Sequence, residues 1–286
     1  MEPKNVFVIS SEPTIAVTSA ITQTVACGNF SVSLKCNDGA CCEKANEEIR
    51  KALDGRVASG VLKAEELEVV MNRIRTTTDF DDARNADILI ESVFEDRDSK
   101  REIISELDDI CSSQAVLVTN TSTITVTSLA NVTSRPWQVV GMHFIYFSPV
   151  MKVVEIVRGS QTSDGTFAAA ESFAKDIGLE IAISEDSPGL LSTRIWMVHL
   201  NEAINNVFNK LVEPGALVKL NRAISPSALS ILESADFIGL DNCVSLLQNL
   251  YNVYGDPKYT PSPLLIQMVD AGQLGVKAGR GFFNYT

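Results

Sequence analysis

The stretch NVFVISSEPTIAVTSAITQTVACGNFSVSLKC, residues 5–36, decides the fold of the chain. Residues 5–9 form a short apolar run with β-branched side chains, which predicts a buried strand. Residues 14–27 predict a helix, and residues 30–36 predict a second strand. A strand, a helix and a strand within about 30 residues are typical of the opening of a dinucleotide-binding fold.

The turn between the first strand and the helix lacks the glycines that such a fold normally uses. Residues 10–15 read SSEPTI, so Glu12 puts a carboxylate where phosphates would lie and Pro13 removes a backbone donor. The turn therefore predicts that a pyrophosphate binds poorly or not at all. The alternative is a relocated phosphate contact through the serine and threonine hydroxyls of the same turn, at Ser10, Ser11 and Thr14.

The second strand also ends without the acidic residue that normally binds the adenosine ribose. It ends on Lys35, Cys36, Asn37 and Asp38. Cys36 is nearest to the required position, and Asp38 comes two residues later. The adenosine half of a dinucleotide therefore has no obvious acidic partner.

Strand and helix patterns continue to alternate after this point. A long helical pattern covers residues 43–74, with Gly55 and Gly60 as interruptions, and residues 76–80 close it. Patterns of strand, helix and strand then follow at residues 86–93, 98–111 and 116–119. Such alternation predicts an α/β fold with a parallel, doubly wound sheet.

Three chemically useful side chains follow predicted strand ends. They are Glu95, Ser122 and His143. In a doubly wound sheet, ligands collect at the carboxyl ends of the strands, which makes these residues candidates for a site.

His143 is one of only two histidines in the chain, and Glu155 follows it in an apolar run. If residues 139–142 end one strand and residues 153–157 form the next, the two side chains converge on one pocket. A carboxylate beside an imidazole fixes its tautomer and raises its basicity, which suits general acid/base work. The alternative is a histidine at a strand edge and a glutamate on a solvated strand face.

The composition excludes several classes of function. The 286 residues are 45% hydrophobic, and the net charge of −12 with a pI near 4.7 argues against nucleic acid or an anionic membrane as a partner. No apolar run reaches the ~18 residues of a membrane span, and the start has no signal-like segment. A cytoplasmic protein with a small-molecule substrate is predicted.

The six cysteines form no C-x-x-C pair, and two histidines are too few to complete an ordinary zinc site, so no metal is predicted. The adjacent Cys41 and Cys42 leave two readings open. They are either redox-active or reduced thiols of a cytosolic chain, and the second reading is favoured.

The second part of the chain is predicted to be helical. Helical patterns cover residues 190–211, 229–238, 243–254 and 261–271. Helices with this much apolar surface must bury it against the first domain or a second subunit, so a homodimer is expected. His199 in the first of these helices is interpreted as a packed or interface histidine.

Several stretches, taken together and in order, resemble the 3-hydroxyacyl-CoA dehydrogenase family. They are residues 90–96 (IESVFED) with 100–102 (KRE), 119–122 (TNTS), 141–144 (GMHF), 149–155 (PVMKVVE), 186–189 (DSPG) and 279–283 (GRGFF). The resemblance implies a Rossmann-like dinucleotide-binding domain over residues 1–185 and an all-helical C-terminal domain over residues 186–286. It also implies that the second domain dimerises and closes the substrate cleft.

The resemblance assigns roles to five residues. His143 would be the general base that takes the hydroxyl proton, Glu155 would orient and stabilise its imidazolium, and Ser122 would hydrogen-bond the substrate oxygen. Glu95 and Lys100 match positions near the nicotinamide ribose. Without the shared motifs, Ser122 reads as a turn-capping hydroxyl and the other two as a solvated helix start.

The chain also departs from the family pattern inside the implied active site. Two asparagines of the family are replaced, one by Tyr146 and one by Thr193, and a neighbouring proline is replaced by Phe147. These three residues are the predicted substrate-binding positions. The aromatic side chains indicate a more apolar or aromatic substrate, although cleft packing is an alternative explanation.

Three hypotheses follow. In the first, His143, Glu155 and Ser122 carry out proton transfer on a carbonyl compound, such as isomerisation, dehydration or cyclisation, without any cofactor. In the second, the family activity persists and NAD is bound. In the third, the chain is a non-catalytic dimeric binding protein.

Overall fold

The computed structural model of the chain describes residues 5–11, 14–145, 152–224 and 229–285. These residues form two compact units. The first contains residues up to 145 together with residues 152–186, and the second contains residues from 187 onward.

The first unit is built on one sheet, which has eight strands among the described residues. The strands are β1 (Asn5–Ser10), β2 (Ser31–Lys35), β3 (Ile74–Thr77), β4 (Ile88–Ser92), β5 (Val116–Thr119), β6 (Val139–Phe144), β7 (Val153–Arg158) and β8 (Glu180–Glu185). Their order across the sheet is β3-β2-β1-β4-β5-β6-β7-β8. All neighbours run parallel except β6 and β7, which are antiparallel. The predicted doubly wound α/β sheet is confirmed.

The burial of the strands explains their sequences. A parallel strand with helices on both faces reads as a continuous apolar run. Every residue of β4 is buried, and in β1 only Asn5 is exposed. β8 lies at the edge of the sheet, and all six of its residues are exposed or half-buried. The ends of β4, β5 and β6 therefore lie side by side in the middle of the sheet.

The helices of the first unit connect these strands. They are α1 (Ile15–Cys27), α2 (Gly39–Ala58), α3 (Ala64–Met71), α4 (Arg97–Ile110), α5 (Val126–Ala130) and α6 (Asp164–Asp176). Two carboxylates cap helix starts by accepting backbone N–H bonds: Asp38 accepts from Cys41 before α2, and Asp96 accepts from Ser99 before α4. The predicted extents of β1, α1, β5 and α4 agree with the structure to within one residue at each end.

The long helical pattern over residues 43–74 is wrong as a single helix. This part of the chain forms α2, then α3, then the strand β3. Gly60 has a φ of +73°, which a glycine adopts easily and which ends a helix. β3 pairs in parallel with β2, so pairing in the sheet overrides the local helical pattern.

The second unit is helical in its described residues, as predicted. Its helices are α7 (Leu191–Phe208), α8 (Pro214–Ile224), α9 (Ile231–Ile238), α10 (Leu240–Tyr254) and α11 (Pro263–Asp270). α8 is additional to the four predicted helices. The core contains buried leucines from four of these helices, among them Leu200, Leu232, Leu247 and Leu265.

Asp236 holds the C-terminal tail of the second unit. Its buried carboxylate accepts hydrogen bonds from the backbone N–H groups of Phe282 and Phe283, at 2.9 and 3.0 Å, and from the hydroxyl of Tyr285 at 3.0 Å. Burial raises the pKa of Asp236 even though these bonds act to lower it. These hydrogen bonds hold the aromatic end of the chain against α9.

Candidate active site

The side chains at the ends of β4, β5 and β6 are tied together by Asn120. The amide nitrogen Nδ2 of Asn120 donates to Ser92 Oγ at 2.9 Å, and its Oδ1 accepts from the backbone N–H of Phe144 at 2.9 Å. Ser92 ends β4 and Phe144 ends β6, whereas Asn120 directly follows β5. This network holds in place the strand end that carries His143.

His143 and Glu155 face each other across the only antiparallel pair of the described sheet. In the register of β6 and β7, His143 pairs directly with Glu155. Opposite residues of an antiparallel pair have neighbouring side chains on the same face. The sequence expectation that the two side chains converge is therefore met by the geometry.

Both ring nitrogens of His143 lie near a functional group. Nε2 is 3.1 Å from Ser122 Oγ, which is hydrogen-bonding distance. Nδ1 is 3.7 Å from Glu155 Oε2, which is longer than a hydrogen bond but within ion-pair distance. The side chains are 9% and 2% exposed, so little water separates them. This arrangement suits a group that gains a proton at Nε2 and is stabilised as a cation from the other side.

The Glu155 carboxylate has a second partner in Ser184. The Ser184 hydroxyl donates to Glu155 Oε1 at 2.5 Å. Ser184 lies on the edge strand β8, which pairs with β7. The hydrogen bond favours the ionised carboxylate, because it adds a donor to a buried negative charge.

The turn that carries Ser122 is held by Glu95. One carboxylate oxygen, Oε1, accepts from the backbone N–H groups of Ser122 and Thr123, at 2.8 and 2.6 Å, and from the hydroxyl of Thr121 at 2.6 Å. Burial opposes ionisation of Glu95, but Lys100 and these hydrogen bonds hold its pKa below the usual value. Glu95 is thus an ionised anchor that fixes the position of Ser122.

Lys100 joins two buried carboxylates. Its Nζ lies 2.7 Å from Glu91 Oε1 and 3.4 Å from Glu95 Oε2, and the Lys100 side chain is 1% exposed. Burial would lower the pKa of Lys100, but Glu91 and Glu95 raise it above its ordinary value. We call these three residues the carboxylate–lysine cluster. Sequence reasoning names Glu95 and Lys100 as cofactor contacts and assigns no role to Glu91, although a glutamate inside the apolar run ILIES is a signal for a buried charge partner.

The predicted substrate-binding residues divide between described and undescribed parts of the chain. Thr193 lies on α7 of the second unit and is buried. Tyr146 and Phe147 lie outside the described residues.

The turn after β1 already uses most of its described hydroxyls. Ser10 is buried, and its Oγ lies 2.7 Å from Thr18 Oγ1. Ser11 Oγ accepts the backbone N–H of Phe94 at 2.9 Å. Glu12 and Pro13 lie outside the described residues. A relocated phosphate contact through the Ser10 hydroxyl is therefore disfavoured.

The start of α1 fits a phosphate better than its turn sequence suggests. Thr14, which precedes the helix, makes no capping hydrogen bond with its side chain, and the first turn of the helix contains no acidic residue. The first N–H groups of a helix have no partner within the helix, and a helix start of this kind binds anions. The start of α1 therefore lies where a dinucleotide-binding fold places the pyrophosphate.

The end of β2 differs from the usual ribose site. Cys36 is fully buried, and its thiol lies 3.9 Å from the carbonyl oxygen of Leu34. Asp38 is exposed, and one of its oxygens caps α2 through Cys41. Asp38 is the carboxylate nearest to the expected ribose position in the sequence.

Two further searches of the described chain were negative. No group of three His, Cys, Asp or Glu side chains in the described ranges is arranged to hold a metal ion. In the same ranges, no helix has the length and apolar character that crossing a membrane requires.

Comparison with protein families covers almost the whole chain. A model described as 3-hydroxyacyl-CoA dehydrogenase, NAD binding domain, matches residues 16–186, and one described as 3-hydroxyacyl-CoA dehydrogenase, C-terminal domain, matches residues 189–285. The chain belongs to the 3-hydroxyacyl-CoA dehydrogenase family. The first match begins immediately after the altered turn.

Relatives within the 3-hydroxyacyl-CoA dehydrogenase family extend this match. A probable 3-hydroxybutyryl-CoA dehydrogenase from Bacillus subtilis is 37% identical over 267 residues, covering 93% of both chains. The crystal structure of (S)-3-hydroxybutyryl-CoA dehydrogenase PaaH1 from Ralstonia eutropha has a TM-score of 0.81 at 33% identity and covers 98% of this chain and 99% of its own. FadB2 from M. tuberculosis has a TM-score of 0.89 at 29% identity and covers 99% of each chain.

Membership of the 3-hydroxyacyl-CoA dehydrogenase family changes the weight of the three hypotheses. The matching first domain is described as NAD-binding, and the relatives are named as dehydrogenases. These findings support an enzyme and favour NAD over the expectation of no cofactor. They also favour the second hypothesis over cofactor-free proton transfer.

Proposed function

We propose that the protein is an NAD-dependent dehydrogenase that interconverts a short-chain 3-hydroxyacyl-CoA and the corresponding 3-oxoacyl-CoA. The observation that carries the proposal is the position of His143, with Nε2 3.1 Å from Ser122 Oγ and Nδ1 3.7 Å from Glu155. The names of the relatives supply the substrate class, because they are 3-hydroxybutyryl-CoA dehydrogenases.

In this proposal, the described residues move and stabilise one proton. The substrate hydroxyl lies against Ser122 Oγ and His143 Nε2, and His143 takes the hydroxyl proton as the carbonyl forms. The imidazolium is stabilised by Glu155, whose charge is supported by Ser184. In the reverse direction, the same imidazolium returns the proton to the oxygen, while Ser122 donates a hydrogen bond to it.

Bound NAD would accept a hydride from the carbon that carries the hydroxyl. The groups that would hold the cofactor are the backbone donors at the start of α1 and the Asp38 carboxylate after β2. Glu95 and Lys100 act indirectly in this proposal, since Lys100 is buried, Glu95 is only 11% exposed, and Glu95 fixes the turn of Ser122. We assign them as positioning residues.

The test is the reduction of acetoacetyl-CoA by NADH, which is monitored as the decrease in NADH absorbance. We expect turnover by the native protein and a fall in kcat of at least about a hundredfold in His143→Ala, the order of a general acid/base contribution. His199→Ala is the matched control. His199 lies on α7 of the second unit and is exposed, so the interpretation of it as a packed histidine is wrong. Equal turnover of the His143→Ala variant and the native protein would refute the assignment.

We propose that three residues contact the substrate, namely Tyr146, Phe147 and Thr193. We propose that they set the preferred acyl group, because they replace residues of the family pattern. Reverting Thr193 and Tyr146 to Asn should shift the chain-length preference, measured as kcat/KM across a series of 3-oxoacyl thioesters. An unchanged preference in both variants would remove this role.

A second candidate function is proton transfer without a cofactor. It is favoured by the glycine-free sequence of residues 10–15 and by Cys36 at the end of β2. Calorimetric titration with NAD and NADH separates the two candidates. Micromolar binding supports the dehydrogenase, whereas no binding at millimolar dinucleotide supports the cofactor-free reaction.

We further propose that the protein is a homodimer. Within the described chain, α8 has no buried residue, and Leu220 and Ile224 on it are 57% and 83% exposed. An amphipathic helix with an uncovered apolar side is typical of an interface. Sedimentation equilibrium would give the mass, and a monomer at micromolar concentration would contradict the proposal.

A further inference from the structure

Three of the six cysteines lie together where β2 passes into α2. Cys36 directly follows β2, and Cys41 and Cys42 lie near the start of α2. We call these three residues the thiol cluster. The proposed dehydrogenase reaction uses none of them.

Within the thiol cluster, Cys36 and Cys42 converge on one carbonyl oxygen. The backbone N–H of Cys36 donates to the carbonyl of Thr77 at 2.9 Å, and the thiol of Cys42 donates to the same oxygen at 3.5 Å. The Cys42 and Cys41 thiols lie near enough to the Cys36 thiol to add to the rise of its pKa that burial causes. The structure thus places Cys36 and Cys42, six positions apart in the sequence, on the same carbonyl oxygen.

The three thiols differ in their access to solvent. Cys36 is fully buried, Cys41 is nearly so, and Cys42 is half-buried. A small oxidant in solution therefore meets Cys42 first. Cys36 is the thiol behind it that can react in a second step.

We propose that Cys42 and Cys36 form a disulfide when the protein reacts with hydrogen peroxide. The Cys42 thiolate attacks one peroxide oxygen, the O–O bond breaks, hydroxide leaves, and Cys42 becomes a sulfenic acid. The Cys36 thiol loses its proton and its thiolate attacks the Cys42 sulfur; the sulfenic oxygen leaves as hydroxide and takes up that proton to form water. Two thiols and one peroxide give one disulfide and two waters.

The second step has a predictable pH dependence. Burial, together with the neighbouring Cys42 and Cys41 thiols, raises the pKa of the Cys36 thiol above its ordinary value. Because the thiolate is the attacking form, the disulfide should form faster as the pH is raised from neutral toward alkaline values.

The disulfide should also weaken binding at the proposed nucleotide site, and this consequence rests on the proposed function. A disulfide needs its two β-carbons within about 3.5–4.5 Å, so it draws the first turns of α2 toward the end of β2. Asp38, which caps α2, lies on the segment between the two cysteines. We expect the oxidised protein to bind NADH at least about tenfold more weakly.

Peptide mass measurement tests the disulfide directly. Trypsin cleaves after Lys35 and Lys44, so residues 36–44 form one peptide that contains the whole thiol cluster. The full protein is treated with peroxide and unfolded, because Cys36 is buried in the folded protein. Its free thiols are then blocked with N-ethylmaleimide, and it is digested without reductant. Compared with the peptide from the reduced protein, we expect the peptide from the oxidised protein to carry one maleimide group instead of three. Apart from these groups, it should be two hydrogens lighter. Treatment of the oxidised protein with dithiothreitol before blocking should restore the three maleimide groups.

Single variants assign the pair. Cys41→Ser should still form the bridge, whereas Cys36→Ser and Cys42→Ser should not. Loss of the bridge in Cys41→Ser, or its persistence in Cys36→Ser, would overturn the assignment. Three maleimide groups on the peptide of the oxidised native protein would overturn the proposal as a whole.

A second measurement separates the disulfide from the proposed function. NADH fluorescence is titrated with reduced protein, oxidised protein, and oxidised Cys36→Ser. Weaker binding by the oxidised native protein alone supports the link to the nucleotide site, and equal binding by all three refutes that link. If none of the three binds NADH, the proposed function fails, while the peptide masses still decide whether the disulfide forms.

Discussion

Ser184 supports the charge that faces His143. Its hydroxyl donates to the Glu155 carboxylate at 2.5 Å, and Glu155 is almost fully buried. A hydrogen bond to a charged group contributes about 1.5–3 kcal/mol. In Ser184→Ala, the carboxylate loses this donor, and we expect kcat for acetoacetyl-CoA reduction to fall by roughly tenfold with KM nearly unchanged.

Ser160→Ala is the matched control for Ser184→Ala, because Ser160 is an exposed serine of the same unit. The pH profile of kcat gives a second reading, since a positioning role through Glu155 and His143 should move the profile. An altered KM with an unmoved profile would indicate a different role for Ser184.

At the residue scale, the sequence reveals the reacting groups more readily than the groups that hold them. His143 and Glu155 are conspicuous because histidine is rare in this chain and the glutamate interrupts an apolar run. Ser184 meets Glu155 only through the pairing of β7 with β8, and the two residues are 29 positions apart. Such contacts depend on sheet order, which no local pattern contains.

Gly141 shows how the element β6 constrains the site. A Cβ at this position would lie 2.6 Å from Val126 Cγ2 and 3.1 Å from Val157 Cβ. Val126 is fully buried on α5 and Val157 on β7, so neither can yield easily. We expect Gly141→Ala to destabilise the protein by about 1–3 kcal/mol and to lower kcat, because β6 also carries His143.

Urea unfolding with Gly55→Ala as the control tests this prediction. Gly55 lies in α2 with nothing near its missing Cβ, so alanine there should stabilise the helix by about 0.5–1 kcal/mol. Equal stability of the Gly141→Ala variant and the native protein would mean that α5 moves away without cost.

The carboxylate–lysine cluster links α4 to the ends of β4 and β5. Removing the charge in Lys100→Met leaves Glu91 and Glu95 buried without their cation. Removing one partner of a buried ion pair costs about 3–5 kcal/mol. Chemical denaturation at pH 7 should therefore show a large loss of stability, whereas Lys44→Met at an exposed position should change it by less than about 0.5 kcal/mol.

The carboxylate–lysine cluster predicts how the stability of the protein depends on pH, and the direction follows from the two pKa shifts. The pKa of Glu95 is lower in the folded state than its ordinary value of about 4.3. Its contribution to the free energy of unfolding is therefore present above that value and is lost as pH falls through the folded pKa. The pKa of Lys100 is raised, so its contribution is lost only as pH rises through its folded pKa.

The loss of stability in Lys100→Met should therefore be largest at pH values between the folded pKa values of Glu95 and Lys100. Denaturation curves at pH 7 and pH 3 test this, with the difference between the native protein and the variant expected to shrink at pH 3. A cost that grows on acidification would contradict the assigned direction of the Glu95 shift.

At the element scale, strands and helices that carry strong local patterns are predicted well, and weaker ones are not. β1 and β5 are apolar runs buried on both faces, and the sequence places both to within one residue. β3 is a strand because it pairs with β2, and its four residues have no strong strand pattern of their own. The edge strand β8 is mostly exposed, so its sequence lacks the apolar signal of a buried strand.

At the scale of the whole chain, the family and the fold class follow from ordered motifs that extend to both units. The proposed cofactor does not follow in the same way, because the proposal places its phosphates at the start of α1, which the turn sequence does not favour. The missing glycines of residues 10–15 predict loss of the nucleotide, whereas a helix start without an acidic residue in its first turn suits a phosphate.

Partial rebuilding of the turn at residues 10–15 measures how much affinity for the dinucleotide the native turn lacks. In Ser10→Gly/Glu12→Gly, a carboxylate is removed from the start of α1 and a glycine is restored where backbone must approach the phosphates. Ile15 is kept, because it is 5% exposed and glycine there would leave a cavity. We expect calorimetry to show tighter NADH binding by about 1 kcal/mol, roughly fivefold in Kd.

Titration of the native protein and the variant with NADH shows how the native turn at residues 10–15 affects binding of the dinucleotide. Tighter binding by the variant means that the native turn is a weakened phosphate site, and the native protein then works at high dinucleotide concentration. Equal micromolar binding by both means that the N–H groups of α1 alone hold the pyrophosphate, so the glycines are dispensable in this chain. Absence of binding by both would refute the dehydrogenase and leave His143, Ser122 and Glu155 to proton transfer without NAD.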